Sequence, residues 1–275
     1  MIYFQEQEAA ATAFNRLNSK TGIQALKDEP PWCMEAEAVG DKLAKMMAET
    51  TRTLLERRKL LHIIQHQFLF NEEEANVIAS VAQSLISGEI EGIPEVHQLP
   101  ELGVHVYDAW RKFLSNPPQE FYFEAVIMFR LKQYDTILRS YAECAIDEYK
   151  MELEYQMFID HIRRCVERQR TYEKHVTVVY NGDFLLLDSM MQPFSKGQIS
   201  ELYEKSLLIT KEIDLDERVL GPLVALAPER ITVYTEHFDH ALLHTIQNIF
   251  EEKMSLQHLS CLPKKKKRIN LRKKS

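Results

Sequence analysis

One stretch of the chain repeats its apolar side chains at helical spacing for about four heptads. Steps of four and three from Ile137 land on Tyr141, Cys144, Glu148, Met151, Tyr155, Phe158, Ile162 and Cys165. Glu148 alone on this path is a carboxylate. Glu143, Asp147, Lys150, Glu154, Arg163 and Arg164 fall off the seam. A pattern this long predicts one extended amphipathic helix to which the rest of the fold must be fitted. Carboxylates are seldom fully buried, so Glu148 is expected to snorkel or to face a gap; a paired buried carboxylate is the alternative.

The flanks read differently. Ile2–Phe4 and Gly22–Leu26 are short apolar runs around a helical stretch from Glu6 to Leu17, a β-α-β start ending at Pro30-Pro31. Asp41 is expected to cap a helix reaching about Gln67, with Leu43, Met46, Met47, Leu54, Leu61 and Ile64 on its apolar side. Asn71 followed three residues later by Glu74 is a capping-box pattern, and Gly88 a helix stop. A loop to Gly103 and a helix over Val104–Leu114 follow, stopped before Pro117-Pro118. From His175 the period becomes two. Val176–Tyr180, Asn181-Gly182 and Asp183–Leu187 read as a hairpin with a type I′ turn. Helices are expected at Ser200–Ile209, from Asp216 to Ala227 and over Phe238–Lys253, with strands at Ile231–Tyr234 and Leu256–Leu259. The fold class expected is α+β, predominantly helical: a helical N-terminal region over 1–119, the long helix over 120–171, and a small α/β domain over 172–262 in the order β-β-α-α-β-α-β.

Charge separates the last segment from the rest. The chain has 34 Lys and Arg against 41 Asp and Glu. Eight of the cations, Lys264, Lys265, Lys266, Lys267, Arg268, Arg272, Lys273 and Lys274, lie in the last twelve residues, which hold no acid. The body is therefore strongly acidic and would repel polyanions, while residues 263–275 are expected to be a disordered cationic tail able to meet nucleic-acid phosphates or an anionic membrane surface.

Signatures of catalysis are missing. The chain has 8 glycines and no phosphate-binding glycine motif, no G-x-S-x-G elbow and no S-x-x-K. His237, His240 and His244 stand at i, i+3 and i+7, the weak candidates for a metal site, but match no known zinc spacing. His62 with His66, and His161 with Cys165, are i, i+4 pairs lacking a third ligand in pattern. No catalytic residue, cofactor or metal is expected. Cys33, Cys144, Cys165 and Cys261 are dispersed, the first residues lack a secretory pattern, and no apolar run spans a bilayer, so a cytoplasmic location is expected.

Several stretches in order carry a resemblance: Phe129-Arg130-Leu131-Lys132-Gln133-Tyr134, then Glu154-Tyr155 with Phe158-Ile159, the hairpin ending Leu187-Asp188, and Leu226-Ala227-Pro228-Glu229-Arg230-Ile231. Together the chain resembles the YtxC-like family of sporulation proteins of spore-forming bacteria, over roughly residues 121–261. The resemblance implies a role in endospore formation and no reaction, and carries over no functional residues. The expected function is a non-enzymatic interaction protein with an unknown protein partner. The alternatives are a binder of nucleic acid or anionic membranes through the tail, and a metal-dependent enzyme using His237, His240 and His244.

Overall fold

The computed structural model describes residues 1–18, 24–25, 32–35, 40–211 and 213–263. The cationic run from Lys264 to Lys274, and Gly22, Ile23 and Leu26 of the expected second strand, lie outside the described residues. The fold is predominantly helical α+β with two small mixed sheets. It divides into two compact units, Met1–Glu152 and Leu153–Ser275.

The first unit begins with β1 (Ile2–Phe4), α1 (Gln7–Asn18), β2 (Gln24–Ala25) and β3 (Trp32–Glu35). Then come α2 (Asp41–His66), α3 (Glu72–Ser87), α4 (Leu102–Leu114), β4 (Phe121–Tyr122), α5 (Phe123–Arg130) and the start of α6 (Lys132–Glu167). The strand order is β2-β3-β1-β4, with β1 antiparallel to β3 and parallel to β4. Helix α2 runs against α1, α3 and α4. Its start differs from expectation. Gly40, at φ 84°, is the cap, and Asp41 is the first helical residue. The Asp41 carboxylate instead accepts the Tyr107 hydroxyl and pairs with Lys45 at 3.2 Å, contacts that hold its carboxyl below the ordinary range. The capping box at α3 is present as expected, and Gly88 closes that helix at φ 76°.

The core of this unit centres on Trp110 of α4, whose ring stacks on Phe123 at 5.5 Å and meets Phe113 edge-on at 6.0 Å. Its indole N–H donates to Thr51 Oγ1 at 2.9 Å, so the one polar atom of the ring is satisfied.

Helix α6 covers the expected seam from Ile137 to Cys165, but the long helix expected over 120–171 starts later and its apolar side is divided. The helix is interrupted at Leu131 (φ −107°, ψ 28°), which separates α5 from α6. No proline or glycine stands there; Leu131 is buried in the core, and packing rather than local propensity breaks the helix. Within α6, Tyr134, Ile137, Leu138, Tyr141, Ala142, Ala145 and Ile146 are buried in the first unit, and Ile159, Ile162 and Val166 in the second. From Lys150 to Glu154 every residue is exposed, with Met151 at 56 %. The apolar path is two short stripes, each serving its own core. Glu148, half-buried, lies at the end of the first.

The second unit holds β5 (His175–Tyr180), β6 (Phe184–Leu187), α7 (Lys196–Thr210), α8 (Leu220–Leu226), β7 (Arg230–Thr235), α9 (Ala241–Phe250) and β8 (Met254–His258). This is the β-β-α-α-β-α-β order expected. The sheet runs β6-β5-β7-β8, with β5, β7 and β8 parallel. Val176, Val178, Leu186, Ile231 and Val233 face the core with α8 and α9. The hairpin is real, but its turn is not type I′. Tyr180 pairs with Phe184, leaving a three-residue loop in which Gly182 has positive φ and Asn181 does not. Type I′ needs two such residues. Asp216 accepts the backbone N–H of Arg218 and Val219, one turn ahead of α8 rather than at its cap. Helix α9 is shorter than expected, bounded by the His240 cap and by Glu251 at φ 47°.

Helix α8, Leu220-Gly221-Pro222-Leu223-Val224-Ala225-Leu226, is buried along its whole length. Pro222 fits because it lies in the first turn, where its missing N–H has no partner to lose. Gly221 fits because α7 passes so close that a Cβ would stand 2.9 Å from both Ser206 Oγ and Tyr203 Cδ2.

Candidate functional site

The first unit carries a groove of about 320 Å³. Glu6 and Ala9 of the α1 end, Leu54, Leu55, Arg58 and Lys59 of α2, and the α5–α6 corner line it. Its floor is apolar: Leu54, Leu55, Ile127, Leu131. Its rim is charged, with Glu6, Arg58, Lys59, Glu124, Lys132 and Asp135, and four of these side chains pair. Arg58 pairs with Glu6 at 3.3 Å and Lys59 with Asp135 at 2.5 Å. Glu124 serves the fold through one oxygen: its Oε1 accepts the backbone N–H of Gln5 at 2.9 Å and of Glu6 at 3.4 Å, where α1 begins. Its other oxygen, Oε2, is covered and has no hydrogen-bond partner among the described residues. Met128 of its lining, and Phe129 next to it in the chain, are each 66 % exposed. Adjacent large apolar side chains left in water beside an apolar groove mark an interaction site more than scattered ones do.

A second depression, of about 430 Å³, is polar, lined by Glu49, Arg52, Thr53, Glu56, Arg57 and Gln83. Its groups bond one another: Arg52 to Glu56 at 2.9 Å, and Arg57 to Gln83 and Asn76, each at 2.9 Å. This is a structural network. Beside Glu56 the Tyr134 hydroxyl is buried without a hydrogen-bond partner among the described residues, and burial drives its pKa far upward. Removing that hydroxyl relieves an unmet desolvation cost, so Tyr134→Phe should be neutral or stabilising, by up to about 1 kcal/mol. The pH dependence has a definite sign. The unfolded tyrosine ionises near 10 and the folded one does not, so wild-type stability falls as pH rises past about 10. Urea unfolding at pH 8 and pH 10.5 should show a smaller alkaline loss in Tyr134→Phe; an equal loss would sink the assignment.

The histidines of the second unit are divided among separate tasks. His240 caps α9, its Nδ1 accepting the Leu242 N–H at 3.2 Å, so the imidazole proton sits on Nε2. Its ring lies 4.6 Å from that of Tyr180, which stacks on Phe184 at 4.4 Å. His237 meets Tyr180 edge-on at 5.9 Å, and His244 is exposed one turn further along α9. Among the described residues no three His, Cys, Asp or Glu gather where a metal ion could be held. His62 and His66 do approach, rings 4.6 Å apart, as an exposed pair on α2. The four cysteines are free. Among the described residues no helix is long and apolar enough to cross a membrane.

Sequence reasoning did not find the groove. The groove lies at the break between α5 and α6, which the sequence pattern did not announce. The stretch Phe129–Tyr134, which carries part of the family resemblance, forms this corner.

Comparison with known proteins places these features in context. The model of the YtxC-like family matches residues 41–255. A relative from Bacillus subtilis (strain 168), described as uncharacterized protein YtxC, is 29% identical over 202 residues, covering 73% of this chain and 71% of its own. No solved structure matches.

Proposed function

The chain belongs to the YtxC-like family, and on that premise we propose that it is a non-enzymatic interaction protein of sporulation. The observation that carries the interaction reading is Met128, exposed on the lining of an apolar groove, with Phe129 exposed next to it in the chain. A catalytic cleft would instead gather unmatched acids, bases or nucleophiles. In the groove Glu6, Arg58, Lys59 and Asp135 are ion-paired, and of the three candidate ligands His240 is a cap, His237 a ring contact and His244 exposed. The sporulation reading rests on the resemblance.

A second reading concerns the eight cations after Pro263. They suit an anionic surface, nucleic acid or membrane, whose attraction fades with salt. One genetic experiment addresses both. Deleting the gene should lower spore yield, and the full chain should restore it. An unchanged yield would count against a sporulation role. Full restoration by a chain ending at Pro263 would remove the tail from that role.

A further inference from the structure

Helix α2 brings two imidazoles together on an exposed face at its C-terminal end. His62 and His66, both exposed, have ring centres 4.6 Å apart and planes tilted by 51°. Helical geometry is the cause. Side chains at i and i+4 lie one above the other, the spacing of the paired histidine ligands on metal-binding helices. Metal–imidazole bonds of about 2.0–2.1 Å at a right angle place two ring centres about 4.5 Å apart; a tetrahedral angle places them about 5.2 Å apart. At 4.6 Å the pair stands at the separation of two adjacent positions on one ion. By contrast, His240 and His258 use Nδ1 to accept the backbone N–H groups of Leu242 and Ser260.

The charge around the pair suits a cation. His66 is the last residue of α2 and so lies at the negative end of the helix. Arg58 and Lys59, one turn before His62, are engaged by Glu6 and Asp135. Among the described residues no third His, Cys, Asp or Glu joins the two in a group that could hold a metal ion. An ion held here therefore keeps its remaining positions for water.

From these observations we infer that His62 and His66 form a two-histidine site for a divalent transition-metal ion. Imidazole donors select copper, nickel and zinc over magnesium and calcium, which prefer oxygen. The near-right angle suits the tetragonal or octahedral geometry of Cu(II) and Ni(II) better than tetrahedral zinc, and Cu(II) binds tightest. The other His pairing at i, i+4 is tied to the fold. Cys165 Sγ, 3.6 Å from His161 Nε2, also donates to the Ile209 carbonyl at 3.6 Å.

The test titrates the full chain with Ni(II) by calorimetry, since Ni(II), unlike Cu(II), is not reduced by the four free cysteines. His62→Gln and His66→Gln should each weaken binding at least tenfold, because losing either ring abolishes chelation. His161→Gln should bind as the wild-type chain does, and excess Mg(II) should not compete. Ni(II) should raise the melting temperature of the wild-type chain and not that of the His62 or His66 variant. Both side chains are exposed, so the melting curves without metal should coincide. The inference is overturned by no binding, or by either single variant binding as tightly as the wild-type chain. Loss of the site in His161→Gln instead, or displacement by Mg(II), overturns it equally.

Discussion

Gly221→Val should destabilise the second unit by about 3 kcal/mol, the upper end of the usual cost of inserting methylenes into a packed interior. The reason is local. Each residue of α8 is buried, and a Cβ at 221 would meet Ser206 Oγ and Tyr203 Cδ2 at 2.9 Å, with the Asp216 carbonyl at 3.4 Å. Neither side chain has an easy retreat. The Ser206 hydroxyl is fully buried and donates to the Tyr203 carbonyl at 2.7 Å, while the Tyr203 hydroxyl donates to Asp214 at 2.9 Å. Gly221→Ala should cost less, and Ser206→Ala should recover part of that loss, because the two positions compete for one space and their effects cannot add. Thermal unfolding of the single and double variants measures this. Strict additivity would mean that α7 and α8 can move apart, which would undo the close-approach account.

Trp110→Ala should cost about 3–5 kcal/mol, the largest loss expected in the first unit. The substitution empties a site that is 1 % exposed and is shared by α4, α5 and β4 through Phe113, Phe121 and Phe123. It also takes the indole donor from Thr51 Oγ1, although that hydroxyl keeps its own bond to the Met47 carbonyl at 2.7 Å. Most of the loss is therefore cavity and ring packing. Trp110→Phe should retain more than half of the lost stability in urea unfolding. If Phe were as damaging as Ala, the hydrogen bond would be the dominant contribution instead.

What the sequence disclosed was set by how local the cause is. The Asn71–Glu74 cap, the Gly88 stop and the strand partners at Asn181-Gly182 depend on neighbours within a few residues, and all three are present. The element order of the second unit follows from the same short-range signals. The seam from Ile137 to Cys165 misled because a periodic pattern does not say which core it serves. Two stripes, one ending near Tyr149 and one beginning at Tyr155, join on paper into one. The break at Leu131 was invisible because nothing in Phe129–Tyr134 opposes a helix; the pull comes from residues remote in sequence. The groove depends on that break. The histidines were legible as a cluster on a helix face, but not as a cap and ring partners, since that needs the hairpin beside them.

Strand β8 has consequences for the behaviour of the protein in concentrated solution. It is the outer strand of its sheet, nearly all of it exposed, and its residues include no charge and no proline. Such an edge is a template on which a second molecule can add, and natural chains commonly guard theirs with repulsive charge. Here Lys264 follows the last residue of β8 by six positions and opens a run of five cations. A second molecule adding on β8 carries the same net charge, −7 in each chain, and that repulsion is strongest at low salt.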